Sequence, residues 1–150
     1  NVPVAFTAAT QTLGSASTKA ILAADIDADG DADIIEANNG ADSIWKNNAG
    51  VFSATDLSAS DNTNAVAAAD VDGDGDLDII FGNNGPSALY INNAGSFTAS
   101  AQTFDNADTR AIAVFDADSD GDMDILQGIY GPSSLWLNDG KGTFTKAPPT

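Results

Sequence analysis

At 150 residues, 43% of them hydrophobic, the chain is long enough to bury an ordinary core and too apolar for a disordered acidic tail, despite a formal charge of −17. Five basic residues (Lys19, Lys46, Arg110, Lys141, Lys146) are too few and too scattered to hold nucleic acid or an anionic membrane. Cysteine is absent, which excludes disulfides and thiolate metal sites, and no stretch is apolar for long enough to predict membrane insertion.

The first predicted element is a short strand at residues 4–8 (VAFTA). It matches later segments around Phe52 and Phe97, so it reads as the last strand of a preceding unit. Residue 1 is Asn, which predicts a processed chain, an excised piece or one unit of something larger. Residues 7–20 are rich in Ser, Thr and Gly, and a long helix is not expected there. A small apolar strand (residues 20–24) then leads into DIDADGDAD (residues 25–33). Ile34 and Ile35 follow, then an Asn-Asn-Gly turn at 38–40, a short run containing Trp45, a second turn (NNAG, 47–50) and a run containing Phe52. Four short runs punctuated by Asn and Gly predict four antiparallel strands.

The same order recurs twice. Residues 65–69 precede DVDGDGDLD (70–78), and residues 111–115 precede DADSDGDMD (116–124). Tyr90 and Trp136 stand where Trp45 does, and Phe97 and Phe144 where Phe52 does. The acidic runs begin 45 and 46 residues apart (70 − 25 and 116 − 70). A four-stranded repeat of about 45 residues is the period of a β-propeller blade. The expected fold is all-β, with three four-stranded antiparallel propeller-type blades and an extra N-terminal strand belonging to a neighbouring blade. The expected boundaries are 1–17 for that strand and its connector, then repeats at 18–62, 63–108 and 109–150. Small residues in the first strand of each repeat suit an inner strand crowded around an axis.

The acidic runs hold 15 of the 22 acidic residues. Each has Asp at positions 1, 3, 5, 7 and 9 and Gly at position 6. So many like charges in one short loop repel unless a cation sits among them, and an all-oxygen donor set predicts calcium, one ion per repeat. The expected ligand residues are Asp25, Asp27, Asp29, Asp31 and Asp33; Asp70, Asp72, Asp74, Asp76 and Asp78; and Asp116, Asp118, Asp120, Asp122 and Asp124. Positions 1, 3 and 5 should converge on one point, position 7 should offer its carbonyl, and position 9 should close the shell. An EF-hand is an alternative, since Glu36 falls at position 12 of the first loop. Phe81 and Gln127 stand at that position in the others, and the flanks read as strands. Further alternatives are a solvated acidic turn without metal and a pair of catalytic carboxylates.

These loops, the Asp-Ile-Ile or Asp-Ile-Leu that follows, the N-x-L-Y/W element and the N-N-x-G-x-F turn together resemble FG-GAP/VCBS-type repeats, the calcium-binding blades of integrin-α-like propellers. The resemblance covers about Phe6 to Phe144. It implies four-stranded blades, calcium in the first hairpin loop, an extracellular or cell-surface setting, and roles in adhesion, glycan binding or scaffolding.

Without His or Cys no familiar nucleophile–base pair can form, and no enzyme is expected. The recurrent Trp45, Tyr90 and Trp136 read as packing between blades rather than sugar platforms, and the three Phe as core. The Asn-Asn pairs read as turns, and Arg110, at the position of Lys19 and Asn64, as a surface charge. The expected function is a calcium-stabilised extracellular scaffold. Its expected partners are other copies of itself, closing a six-bladed ring or forming a filament, sheath or surface layer. An adhesion or lectin-like propeller binding a glycan or surface protein is the alternative, as is a fragment of a seven-bladed protein. Specificity would sit in the variable segments 58–64 and 102–108.

Overall fold

A computed structural model describes residues 9–57 and 61–149; the predicted strand at 4–8 lies outside them, as do residues 58–60 of the first variable segment. Short runs separated by Asn, Gly and Asp fold only as strands, and no helix occurs among the described residues. The first unit comprises β1 (Ser17–Ala24), β2 (Asp33–Gly40), β3 (Ser43–Asn48) and β4 (Val51–Asp56). The second comprises β5 (Asp61–Ala69), β6 (Asp78–Pro86), β7 (Ala88–Asn93) and β8 (Ser96–Ala99). The third comprises β9 (Asn106–Phe115), β10 (Asp124–Ile129), β11 (Ser134–Asn138) and β12 (Phe144–Lys146). Each unit is an antiparallel meander. The three are joined into one unclosed sheet because the end of each second strand pairs with the start of the next unit's first strand. Asn39 and Gly40 face Asn62 and Asp61, and residues 84–86 face residues 106–108.

The core lies between units, and strand alternation explains how. Along β6, Ile79 and Phe81 point to the first unit, where Ile26, Ile35, Ala37 and Ile44 meet them. Ile80 points the other way and joins Val71, Leu89, Phe104, Ile125, Trp136 and Phe144. All three β6 side chains are fully buried. Of the two β2 isoleucines, Ile35, facing the second unit, is fully buried, and Ile34 is half-buried. On β10 the pattern inverts: Ile125 is buried and Leu126 half-buried. A strand with a sheet on each side reads as a continuous apolar run, and β6 is that strand.

Two of the three recurrent aromatics pack between units as expected, while Trp45 is half-buried and donates its indole N–H to Glu36 of its own unit. Tyr90 stands edge-on to Phe81 and donates its hydroxyl to the Leu57 carbonyl of the first unit. Trp136 stands edge-on to Phe104, in the connector from the second unit, and its indole N–H donates to Gln127. The phenylalanines are less uniform than expected. Phe144 is buried against Phe104 of the connector, but Phe52 and Phe97, on the same outermost strand of their units, are only half-buried.

Each first strand carries a β-bulge at the same place, which leaves Lys19, Asn64 and Arg110 as the extra residues. The bulges let Lys19 and Asn64 reach the following unit, while Arg110 pairs within its own strand. Lys19 donates to Asn64 (2.9 Å), Asn64 donates to Asp108 (3.0 Å), and Arg110 pairs with Asp108. Close approach is also required at Gly82, where an added Cβ would lie 2.7 Å from the Thr109 methyl.

The β3–β4 and β7–β8 turns place Ala49 and Ala94 in the left-handed region, at φ 52° and 49°. An L-residue with a Cβ is strained there by about 1–2 kcal/mol, and Asn tolerates the conformation better. Ala94→Asn should therefore raise the melting temperature by about 2–4 °C, read by thermal unfolding with and without the substitution.

Candidate metal centres

Each acidic run forms the loop between the first two strands of its unit. The first carboxylate organises it. Asp25 accepts from the amides of Asp29 (3.1 Å) and Gly30 (3.0 Å). Asp70 accepts from Gly73 and Gly75 (2.8 and 3.0 Å), and Asp116 from Ser119 and Gly121 (2.7 and 3.1 Å). Position 6 takes φ of 96° to 99° in all three loops, which only glycine adopts without strain.

Carboxylate oxygens within 4.8 Å of one another come together three times among the described residues. The groups are Asp25, Asp27 and Asp29; Asp70, Asp72 and Asp78; and Asp116, Asp118 and Asp124. The donor chemistry suits a hard cation. An oxygen of Asp27 (Oδ1) is shut off from solvent with no hydrogen-bond partner, as a ligand atom awaiting a metal would be. The residues present therefore fit an ion at the junction of positions 1 and 3 with either 5 or 9.

Positions 7 and 9 have further roles. Asp31 and Asp76 (Oδ2) accept from the amides of Ala49 and Ala94, both at 2.7 Å, and so cap the turn between the third and fourth strands. Asp33, Asp78 and Asp124 are wholly buried. One oxygen of each accepts from the position 2 amide (Ile26, Val71, Ala117) at 2.8–3.0 Å. The other accepts from the amide of Asn47, Asn92 or Asn138 at 2.7–2.8 Å. Position 9 thus ties the loop to the end of the third strand. Asp29, Asp74 and Asp120 each accept from the amide two residues on. Asp74 and Asp120 stay outside the tight groups, as does Asp122.

Sequence reasoning missed the asparagines that end the third strands. Asn92 donates its side-chain amide to the Ile26 carbonyl, and Asn138 to the Val71 carbonyl, each at 2.8 Å. Each thereby fastens one unit's acidic loop to the next unit. Their equal place in every repeat was the available signal. Gln11 and Gln102 were missed too. Each pairs its amide with both backbone groups of a fourth-strand phenylalanine, Phe52 and Phe144 respectively. The shared FTAxxQT at 6–12 and 97–103 was the clue.

Electrostatics register the crowding. Loss of hydration first, then the Asp74 charge, raises the Asp72 carboxyl above 3.8. Burial raises Asp78. Asp118 is raised by lost hydration and by Asp120, and Asp122 by lost hydration, Asp120 and Asp116. Asp105 is lowered by its hydrogen bonds from Lys146 and Ser134. A carboxyl raised in the fold keeps its proton more readily there than in the unfolded chain. The ion-free fold should therefore lose stability as pH climbs from about 3.8 through the raised values. Asp105 acts oppositely, below about 3.8. With the ion bound, protons compete for its ligands and the trend reverses. Melting curves from about pH 4 to 7, with chelator and with divalent ion, should slope in opposite senses.

The family model for the FG-GAP-like repeat matches residues 25–81 and again 70–127. No curated protein matches the chain.

Proposed function

The chain belongs to the FG-GAP-like repeat family, and we propose that it is a calcium-stabilised β-propeller module, extracellular or at the cell surface, with a structural and not an enzymatic task. The carrying observation is that every repeat gathers three carboxylates within 4.8 Å, two of the three loops being fastened to the following unit. An ion held there stiffens the contact between units as well as its own loop. The propeller arrangement is supported by neighbouring first strands, β1 against β5 and β5 against β9, with sheets packed face to face around them. Calcium is favoured by all-oxygen donors, and weak sites of about 10⁻⁴ to 10⁻³ M suffice outside cells. The family is typical of extracellular proteins, and among the described residues no helix is long and apolar enough to cross a membrane.

Assembly with further units of the same kind is the scaffold role we favour. Ile26 and Val71, at position 2 of the first two loops, are buried under the next unit, whereas Ala117 at the same position is exposed beside exposed Phe115 and Met123. Sedimentation velocity over a concentration series, with calcium and with chelator, tests this. Calcium-dependent growth in mass supports the scaffold, and a monomer throughout opposes it. One observation favours a recognition role instead. Tyr130, in the turn after β10, is 88% exposed, and an aromatic face in solvent can stack on a sugar ring. Binding to a defined glycan, lost in Tyr130→Ala, would favour that reading.

A further inference from the structure

The three loops share their acidic pattern, but their surroundings differ at one side chain. Ile91 of β7 and Leu137 of β11 stand in the register that Lys46 fills on β3. At the junction of the second and third units, Ile91 and Asp72 lie against the turn at Gly142, 3.3 and 3.6 Å from the place of an added Cβ. At the junction of the first and second units, Lys46 and Asp27 lie against Gly95 in the same way, at 2.9 and 3.0 Å. Where the second unit has a methyl group, the first has an ammonium. Lys46 Nζ is 3.3 Å from Asp27 Oδ2 and donates to the Gly95 carbonyl at 3.0 Å. Asp27 belongs to the first carboxylate group, and its other oxygen is the buried one without a partner.

We propose that Lys46 is a built-in counter-cation that makes the first loop a weaker divalent-ion site than the second, so that the two fill in order and not together. The proposal rests on the calcium reading above. Two effects act in one direction. A divalent ion at Asp25, Asp27 and Asp29 is repelled by the ammonium, and Asp27 must share its charge between the two cations. A unit charge about 6 Å from a divalent ion in a water-like dielectric weakens binding roughly tenfold. The ammonium also partly neutralises the first loop in the absence of metal, so this junction depends least on the ion. The second loop is the fair comparison. It too is covered by a following unit, and its five aspartates have the same spacing.

Each loop carries its own reporter. The amides of Gly30, Gly75 and Gly121 donate to the first aspartate of their own loops, so their resonances follow three sites separately in an amide-correlation NMR titration with calcium chloride. The Gly30 signal should reach its midpoint at roughly tenfold higher calcium than Gly75. In Lys46→Ile, which installs the second unit's residue, that gap should close. Lys46→Gln, which keeps a donor for the Gly95 carbonyl but carries no charge, should close it too. Equal midpoints for Gly30 and Gly75 in the parent chain would overturn the proposal and leave the calcium reading intact. So would a gap that Lys46→Ile closes and Lys46→Gln does not, since packing and not charge would then set it. Three glycines that ignore calcium would overturn both.

Discussion

Removing calcium with excess chelator should lower the melting temperature by about 15–30 °C. A site held at a hundred times its dissociation constant stabilises the fold by about 2.7 kcal/mol; two such sites and a first one tenfold weaker give about 7. That is comparable with the whole stability of an ordinary domain, about 5–15 kcal/mol. For a chain of this length each kcal/mol is worth about 2–4 °C. The loops give the physical cause. Without an ion, Asp72 and Asp118 face like charges from Asp74 and Asp120, and the loop that holds Asp72 is fastened to the third unit through Asn138. Magnesium should restore little, because it demands six short, regular ligands and keeps its waters, whereas calcium accepts the irregular cage these loops offer. Scanning calorimetry in about 10 mM calcium, a hundredfold above a dissociation constant of about 10⁻⁴ M, in magnesium and in chelator measures this. Superimposable melts in the three would remove any structural role for the ion.

What was legible in the sequence was local. Alternating aspartates with glycine at position 6 define a loop within nine residues, and the period of about 45 follows from counting. The strands followed as well, since Asn-Gly punctuation sets turns regardless of their surroundings. Contacts between units were not legible, because their partners are 66 and 67 residues apart for Asn92 and Asn138. The asparagines read as turn formers, and Gly50 and Gly95 do donate their amides to the side-chain oxygens of Asn47 and Asn92. The second bond of Asn92 and Asn138, across the junction, is visible only once the sheets are stacked. Arg110 was read as a surface charge and is mostly exposed, but its bulge sets it in a line with Asn64 and Lys19 that register alone would not have revealed. The uneven burial of Ile34 and Leu126 against Ile79 and Ile80 has the same origin. A strand's pattern does not say how many neighbours its sheet has.

The second large effect separates holding an ion from holding the fold. Asp78 is among the carboxylates that can meet a cation, yet both its oxygens are already engaged, by the Val71 amide at 2.9 Å and the Asn92 amide at 2.8 Å. Val71 sits in the core between the second and third units, and Asn92 reaches back to the first. Asp78→Ala strands two buried donors at the hinge of all three units, at about 1–3 kcal/mol each, so about 4 kcal/mol together. The melting temperature should fall by about 8–16 °C, and it should do so in chelator as well as in calcium. Asp72 is the contrast, since the bond it accepts from the Asp74 amide is long, at 3.3 Å. Asp72→Asn should destabilise the calcium-loaded protein, while in chelator it should leave the melt unchanged or raise it, because one of the mutually repelling charges is gone. The two variants, each melted with and without calcium, form a square. If Asp78→Ala loses its effect in chelator, position 9 serves only the ion, and the latch between loop and third strand contributes nothing to the fold.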